Sequence, residues 1–235
     1  MRNAERAVSA DDDERVKAEF VKVLCDPLGV VDFATDAIDR LHTTAEAHRR
    51  ILVVEVMGRY AGWIALYAGV AGGADAILIP EIPFDIAIVA DRLRARDRWG
   101  AKFSVVVVAE GAFPKGGSPS LVEAAHDGSL ERLGGIGARV SEALAKETGK
   151  QTRSVVLGHL QRGGAPTSFD RVLATRFGGM AVELIKRRDF GTMVAFAPPD
   201  IVARRLDEVV GKTKTVPLDF DLLLTAKAIG VTFGD

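Results

Sequence analysis

The sequence has little cysteine and no excess of charge of either sign, and both deficits exclude classes of protein. Cys25 is the only cysteine among 235 residues, so the chain cannot carry an internal disulfide framework. This usage is typical of a reducing cytoplasm. The 31 lysines and arginines are balanced by 32 aspartates and glutamates, for a net charge of -1. Because there is neither a basic surplus nor a basic tract, the sequence indicates no nucleic-acid partner and no membrane partner.

Long hydrophobic runs are also missing. No apolar stretch approaches the ~18 residues of a membrane-spanning helix, and the chain does not open with a charged-then-apolar signal peptide. The composition is 48% hydrophobic and 27% charged, which is ordinary for a globular protein. We therefore expect a cytoplasmic protein with an apolar core.

Strand-like and helix-like segments alternate from Val30 to the C-terminus. The predicted strands are residues 51–57, 75–80, 102–111, 153–158 and 191–202, and the predicted helices are residues 32–48, 60–72, 85–100, 129–149 and 170–188. Most of the strands are apolar on both faces. This pattern predicts a three-layer α/β fold, with a mostly parallel sheet covered by helices on both sides.

The first 29 residues differ from the rest of the chain. They are charged and open without apolar periodicity, and they contain at most one amphipathic helix, roughly Asp12 to Leu24, which Pro27 would end. We expect a leader over residues 1–29 and the α/β part over residues 30–235.

Several polar residues follow directly after predicted strands. Right-handed crossovers bring the carboxyl ends of parallel strands to one edge of the sheet, where ligands of such folds bind. The segments at this edge are Met57–Arg59, Pro80–Glu81, Glu110–Ala112 and Gly158–Gly164. We therefore expect two arginines, a histidine and a carboxylate to line one crevice.

These residue types fit a phosphorylated sugar. The guanidinium groups of Arg59 and Arg162 can grip a phosphate through two hydrogen bonds each, and glycines allow backbone N–H groups to approach an anion. Glu110 can accept hydrogen bonds from sugar hydroxyls. Singly, His159 is more often a structural hydrogen-bonding residue and each arginine more often a solvated charge. Glu81 is interpreted as structural.

Two other motifs are rejected, and a third is absent. The stretch GKTKT at residues 211–215 resembles the end of a P-loop, but Leu206 stands where the first glycine is required. His42 and His48 are six residues apart, which does not stack two metal ligands on one helical face, so no metal site is predicted. No G-x-G-x-x-G turn follows a strand, which argues against a dinucleotide-binding oxidoreductase.

Three sequence blocks resemble the 6-phosphofructokinase family. They are VEVMGRYAGWIAL at residues 54–66, VVVAEGA at residues 106–112 and RSVVLGHLQRGGAPTSFDRVLATRFG at residues 153–178. The resemblance runs from about residue 30 to the C-terminus. HTTAEAH and the closing KTV and GVTFG look most like the actinobacterial-type branch, which includes ATP-dependent and pyrophosphate-dependent members.

The resemblance implies a role for each matched position of the sugar pocket. His159 and Arg162 would hold the 6-phosphate of fructose 6-phosphate. Glu110 would bind sugar hydroxyls, and the backbone of Met57 and Gly58 would line the pocket.

Three arginines match the family in other roles. Arg59 would offset the charge of the transferred phosphoryl group. Arg50 and Arg153 resemble arginines that reach the substrate from a neighbouring subunit, which implies a homo-oligomer with shared sites.

The donor half of the family pattern does not occur in this sequence. The family holds ATP or pyrophosphate with Mg²⁺ through a Gly-Gly-Asp motif, and its base lies in a Thr-Ile-Asp-Asn-Asp segment. Before Val30 the chain reads FVKVLCDPLG, where Asp26 lacks the flanking residues of that segment. We expect the fructose 6-phosphate half of a phosphotransferase behind an unrelated leader. The alternative is a non-catalytic sugar-phosphate-binding fragment or a regulatory pseudoenzyme.

Overall fold

A computed structural model describes residues 28–123 and 132–235. These residues group into two compact units: residues 30–164 with 211–235 form the larger, and residues 28–29 with 165–210 form the smaller. The leader helix predicted at Asp12–Leu24 lies outside the described residues, as does Asp26. The predicted leader and its boundary stay predictions.

The helices and strands follow one another along the chain in a largely alternating order. The helices are α1 (Leu28–His48), α2 (Trp63–Ala71), α3 (Ile86–Arg98), α4 (Ile136–Thr148), α5 (Ser168–Lys186), α6 (Leu206–Val209) and α7 (Asp221–Ala228). The strands are β1 (Ile51–Val56), β2 (Ala76–Leu78), β3 (Ser104–Ala109), β4 (Leu121–Glu123), β5 (Arg132–Leu133), β6 (Thr152–Val156), β7 (Thr192–Ala197) and β8 (Asp200–Arg205). A 3-10 helix covers Gly158–Arg162.

The larger unit is built on a parallel four-stranded sheet in the order β2-β3-β1-β6. Val53 of β1 lies opposite Val106 of β3 and Ser154 of β6. Every residue of β1 and β3 is buried, because the two central strands have helices on both faces. The parallel three-layer arrangement expected from the sequence is confirmed.

Alternate side chains of the central strands pack into two separate cores. Val54 and Val107 belong to the core that includes residues of α1, α2 and α7. Val53 and Val106 belong to the core that includes residues of α3 and α4. The helix predicted over residues 32–48 is confirmed as part of α1. Its apolar residues share one face, since Ile38 is fully buried and Phe33, Ala37 and Leu41 pack against the same core.

Two predicted elements were wrong in their extent. The helix predicted over residues 129–149 begins only at Ile136, because Gly135 takes a left-handed φ of 80° before it and Arg132–Leu133 pairs with β4 as a strand. The single strand predicted over residues 191–202 is instead the antiparallel pair β7 and β8. The two prolines at 198–199 interrupt it, since proline cannot donate a ladder hydrogen bond.

The smaller unit packs α5 with β7 and β8 around Phe177, Leu184 and Val194. Thr167 and Asp170 form a capping box at the start of α5: the Asp170 carboxylate accepts the Thr167 N–H at 2.9 Å, and the Thr167 hydroxyl accepts the Asp170 N–H at 3.2 Å. Asp170, one of the residues of the family-like block, therefore starts a helix.

Within the described ranges, none of the helices combines the length and the apolar character needed to cross a bilayer.

Candidate functional site

A cavity of about 370 Å³ opens in the larger unit at the carboxyl ends of β1, β3 and β6. Its lining includes Arg59, Glu110, His159 and Arg162, which are up to 103 residues apart in the sequence. The other lining residues are Glu55, Met57, Leu133, Gly134, Gly135, Val156 and Gly158. Parallel pairing of the three strands causes this convergence, because it brings their carboxyl ends to one sheet edge.

Arg59 stands in a strained turn that Glu110 supports. Its φ of 51° lies in the left-handed region, which costs a non-glycine residue of the order of 1–2 kcal/mol. The Glu110 carboxylate accepts the Arg59 N–H at 2.9 Å and the Gly58 N–H at 3.3 Å. A Cβ at Gly111 would lie 1.8 Å from the Arg59 carbonyl oxygen. Position 111 therefore requires glycine, because any side chain would keep the turn after β3 away from the turn of Arg59.

The 3-10 helix after β6 explains why a histidine and an arginine are spaced three residues apart. Side chains at i and i+3 eclipse each other in this helix, so His159 and Arg162 lie on one side, and both line the cavity. Gln161 between them is turned inward and is only 2% exposed. Its Oε1 accepts the Met57 N–H at 2.7 Å.

Glu55 is a cavity residue that the sequence interpretation missed. It is 3% exposed and lies in β1 among valines. Its carboxylate accepts the Gly135 N–H at 3.1 Å and the Gly137 N–H at 2.7 Å. These N–H groups belong to the start of α4, where a carboxylate is favoured by the unpaired donors and the helix dipole. A charged residue inside the otherwise apolar run ILVVEV is the signal that could have revealed it.

The cavity therefore contains both carboxylates and cationic side chains, and these two kinds of group differ in their contacts. Both carboxylates, Glu55 and Glu110, already accept backbone N–H groups. His159 and Arg162 are exposed residues of the lining, and the Arg59 guanidinium carbon lies 5.6 Å from the centre of the Tyr60 ring. Such a site can accept an anionic group beside hydroxyls, with the arginines as donors and the carboxylate oxygens as acceptors.

The remaining predicted residues lie as follows. Met57 lines the cavity, and Gly58 follows it in the same turn without being part of the lining. Arg50 and Arg153 do not line it. The Arg50 Nε donates to Gln151 Oε1 at 3.0 Å, and Arg153 Nη1 donates to the Thr152 carbonyl at 2.9 Å. Their role toward a neighbouring subunit stays a prediction.

Glu81, interpreted as structural, connects the start of α2 to the C-terminal segment. Its carboxylate accepts the Gly62 N–H at 3.0 and 3.1 Å and the Val216 N–H at 2.8 Å. Gly62 precedes the first residue of α2 and offers no side-chain cap of its own, so Glu81, in the turn after β2, supplies an acceptor for that helix end.

A cavity at the carboxyl ends of parallel strands is where α/β folds bind their ligands, and comparisons with known proteins identify the family. A family model described as Phosphofructokinase matches residues 29–185. That is well over half of the chain, which therefore belongs to the phosphofructokinase family.

Curated relatives carry two different names. The chain is 55% identical over 202 residues to an ATP-dependent 6-phosphofructokinase of Chloroflexus aurantiacus, a match covering 86% of this chain and 55% of that protein. It is 53% identical over 191 residues to a pyrophosphate–fructose 6-phosphate 1-phosphotransferase of Amycolatopsis mediterranei, covering 80% of this chain and 55% of that protein. The chain thus spans about half the length of the curated relatives that it matches.

A solved structure shows the same fold. The phosphofructokinase of Saccharomyces cerevisiae superimposes with a TM-score of 0.66 at 35% identity, over 77% of this chain and 23% of that one.

Proposed function

We propose that this chain carries the fructose 6-phosphate site of a 6-phosphofructokinase-type phosphotransferase, which forms fructose 1,6-bisphosphate in glycolysis. The observation that supports it is the shared cavity: three strand ends contribute Arg59, Glu110, His159 and Arg162 to one space of about 370 Å³. The names of the relatives, which cover both ATP-dependent and pyrophosphate-dependent enzymes, support the same substrate.

Each side chain has a proposed task. His159 and Arg162 hold the 6-phosphate, since both line the cavity and lie three residues apart in the 3-10 helix. Glu110 accepts a sugar hydroxyl with the lone pairs that the Arg59 and Gly58 N–H groups leave open. Arg59 faces the phosphoryl group that is transferred and offsets its charge.

The donor and the metal require residues beyond this cavity. In the part of the chain that the structure describes, no three histidine, cysteine, aspartate or glutamate side chains come together as metal ligands, and both cavity carboxylates accept backbone N–H groups. These residues do not fit a Mg²⁺ site, and no step is assigned to the ion. In the proposed enzyme, Mg²⁺ and ATP or pyrophosphate bind to a part that supplies the missing motifs.

The assembly and location of the protein are also proposals. The resemblance of Arg50 and Arg153 to arginines that reach the substrate of a neighbouring subunit supports a homo-oligomer in which each subunit completes the site of its neighbour, and neither arginine lines the cavity of the single chain. The balanced charge and the single cysteine support a cytoplasmic location.

The phosphate site is tested by calorimetric titration of the chain with fructose 6-phosphate. His159→Ala and Arg162→Ala are each expected to weaken binding by roughly 1.5–3 kcal/mol, the contribution of a charge-assisted hydrogen bond. Arg98→Ala, an exposed arginine at the end of α3, is the control and leaves affinity unchanged. Unaltered affinity in both cavity variants would remove these residues from the site.

A coupled assay for fructose 1,6-bisphosphate separates the enzyme from a sugar-phosphate-binding protein without catalysis. The sequence of the isolated chain lacks the base and donor motifs, which favours the hypothesis of a binding protein without catalysis. Turnover with ATP or with pyrophosphate that disappears in Arg59→Ala would establish the enzyme. Binding of fructose 6-phosphate without turnover from either donor would establish that this chain is a non-catalytic sugar-phosphate-binding protein.

A further inference from the structure

Gln161 differs from its two neighbours in the 3-10 helix, because it is turned away from the cavity. His159 and Arg162 are exposed, whereas Gln161 is 2% exposed. Its Oε1 accepts the N–H of Met57, which lies 104 residues earlier, at 2.7 Å. This bond fixes which way the amide points, since the reversed amide would set two donors against each other.

The nitrogen end of the same amide destabilises the fold. Its Nε2 is buried and has no hydrogen-bond partner among the described residues. A buried donor without an acceptor destabilises a fold. A methionine of the same length would fill this space without that donor, so the amide is a poor choice for stability alone. What it supplies is the bond to Met57.

That bond lies just beyond the point where the sheet stops holding the two strands together. The pairing of β1 with β6 ends at Glu55 and Val156, and the Leu157 N–H donates to the Glu55 carbonyl at 3.0 Å. After these residues β1 leads into the turn of Arg59, while β6 leads into the 3-10 helix. Gln161 is the next connection between the two segments.

We propose that Gln161 is a positioning residue of the cavity, holding the turn of His159 and Arg162 at a fixed distance from the turn of Arg59. The inference builds on the proposed function, because a sugar phosphate must be reached from both turns at once. Gln161 itself touches no ligand in this arrangement, and it acts through the Met57 peptide.

The experiment compares the full 235-residue chain with Gln161→Met and Ser141→Ala. Ser141 is a matched control, because it is also buried and its hydroxyl donates to Thr152 Oγ1 at 2.9 Å, but it does not line the cavity. Three quantities are measured: affinity for fructose 6-phosphate, hydrogen exchange of the Met57 amide, and the thermal midpoint. Exchange needs no ligand, so it tests the bond itself.

Gln161→Met is expected to weaken fructose 6-phosphate binding about threefold to tenfold, the equivalent of one hydrogen bond, and to speed exchange at Met57. The thermal midpoint should change little, because the Met57 N–H that loses its acceptor is offset by removal of the unpaired Nε2 donor. Ser141→Ala is expected to lower the midpoint and leave the other two quantities unchanged. If Gln161→Met leaves both affinity and exchange unchanged, the inference is wrong.

Two further outcomes are also decisive. If the unaltered chain binds no fructose 6-phosphate, the proposed function fails, and exchange at Met57 alone decides whether Gln161 holds the turn. If Gln161→Met does not fold, Gln161→Glu replaces it, because glutamate keeps an acceptor oxygen at the same reach. Slow exchange at Met57 in Gln161→Glu would support the positioning role, and fast exchange would overturn it.

Discussion

Replacing Glu110 separates support of the Arg59 turn from contact with the ligand. In the structure its carboxylate accepts the Arg59 N–H at 2.9 Å and the Gly58 N–H at 3.3 Å. Glu110→Ala removes both bonds, while Glu110→Gln keeps a carbonyl oxygen that can accept them. Glu110→Ala should therefore be less stable than Glu110→Gln. Both variants lose the negative charge, so both should bind the ligand more weakly.

The magnitude follows from the two distances. A hydrogen bond to a charged acceptor contributes about 1.5–3 kcal/mol, and the 3.3 Å contact lies beyond the usual range for N–H···O bonds. Glu110 is half-buried, so solvent partly replaces what is lost. We expect Glu110→Ala to lower the free energy of unfolding by about 2 kcal/mol, and Glu110→Gln by about 1 kcal/mol or less.

Urea unfolding followed by circular dichroism measures the stability, and calorimetry with fructose 6-phosphate measures the affinity. Both Glu110 variants should bind the sugar phosphate at least about tenfold more weakly, since a charged hydroxyl acceptor is gone. The control is Glu142→Ala, which removes an exposed carboxylate 2.8 Å from Lys146 and should alter neither quantity. Equal stability of Glu110→Ala and the unaltered chain would refute the proposed support of the turn.

Two further predictions concern carboxylates outside the cavity. Burial raises the pKa of Asp75 although Arg96 opposes the shift. The folded chain thus holds this proton more tightly than the unfolded chain, and the stabilisation is lost as pH rises. The unaltered chain should lose stability relative to Asp75→Asn in urea titrations as the pH rises above the ordinary pKa of aspartate, about 4, and a constant difference would contradict this. Glu81→Ala deprives the Gly62 and Val216 N–H groups of their acceptor and should lower the free energy of unfolding by about 2–3 kcal/mol; a loss under about 0.5 kcal/mol would show that water replaces the carboxylate.

The sequence predicted elements well where a single pattern persisted over many residues. The apolar spacing in α1 and the valine-rich runs of β1 and β3 correspond to the helix and strands of the structure. It failed where glycine or proline changed the backbone direction within a segment, before Ile136 and at residues 198–199. A pattern averaged over a window does not locate such a break.

The candidate site was predictable to a similar degree. The ends of the strands pointed to Arg59, Glu110, His159 and Arg162, and these line one cavity. Glu55 was missed, because the apolar run around it predicts a buried strand. That pattern does not say which group a buried carboxylate would bind.

The sequence by itself determined the alternation of helices and strands, the parallel sheet and the membership of the family, because these follow from local spacing and from residues in a fixed order. Only the tertiary structure decided which polar groups meet. The contacts of Glu55 with the start of α4, and of Gln161 with Met57, join residues 80 to 104 positions apart. Such pairs depend on strand order and register, which are set by packing of the whole unit rather than by any one segment.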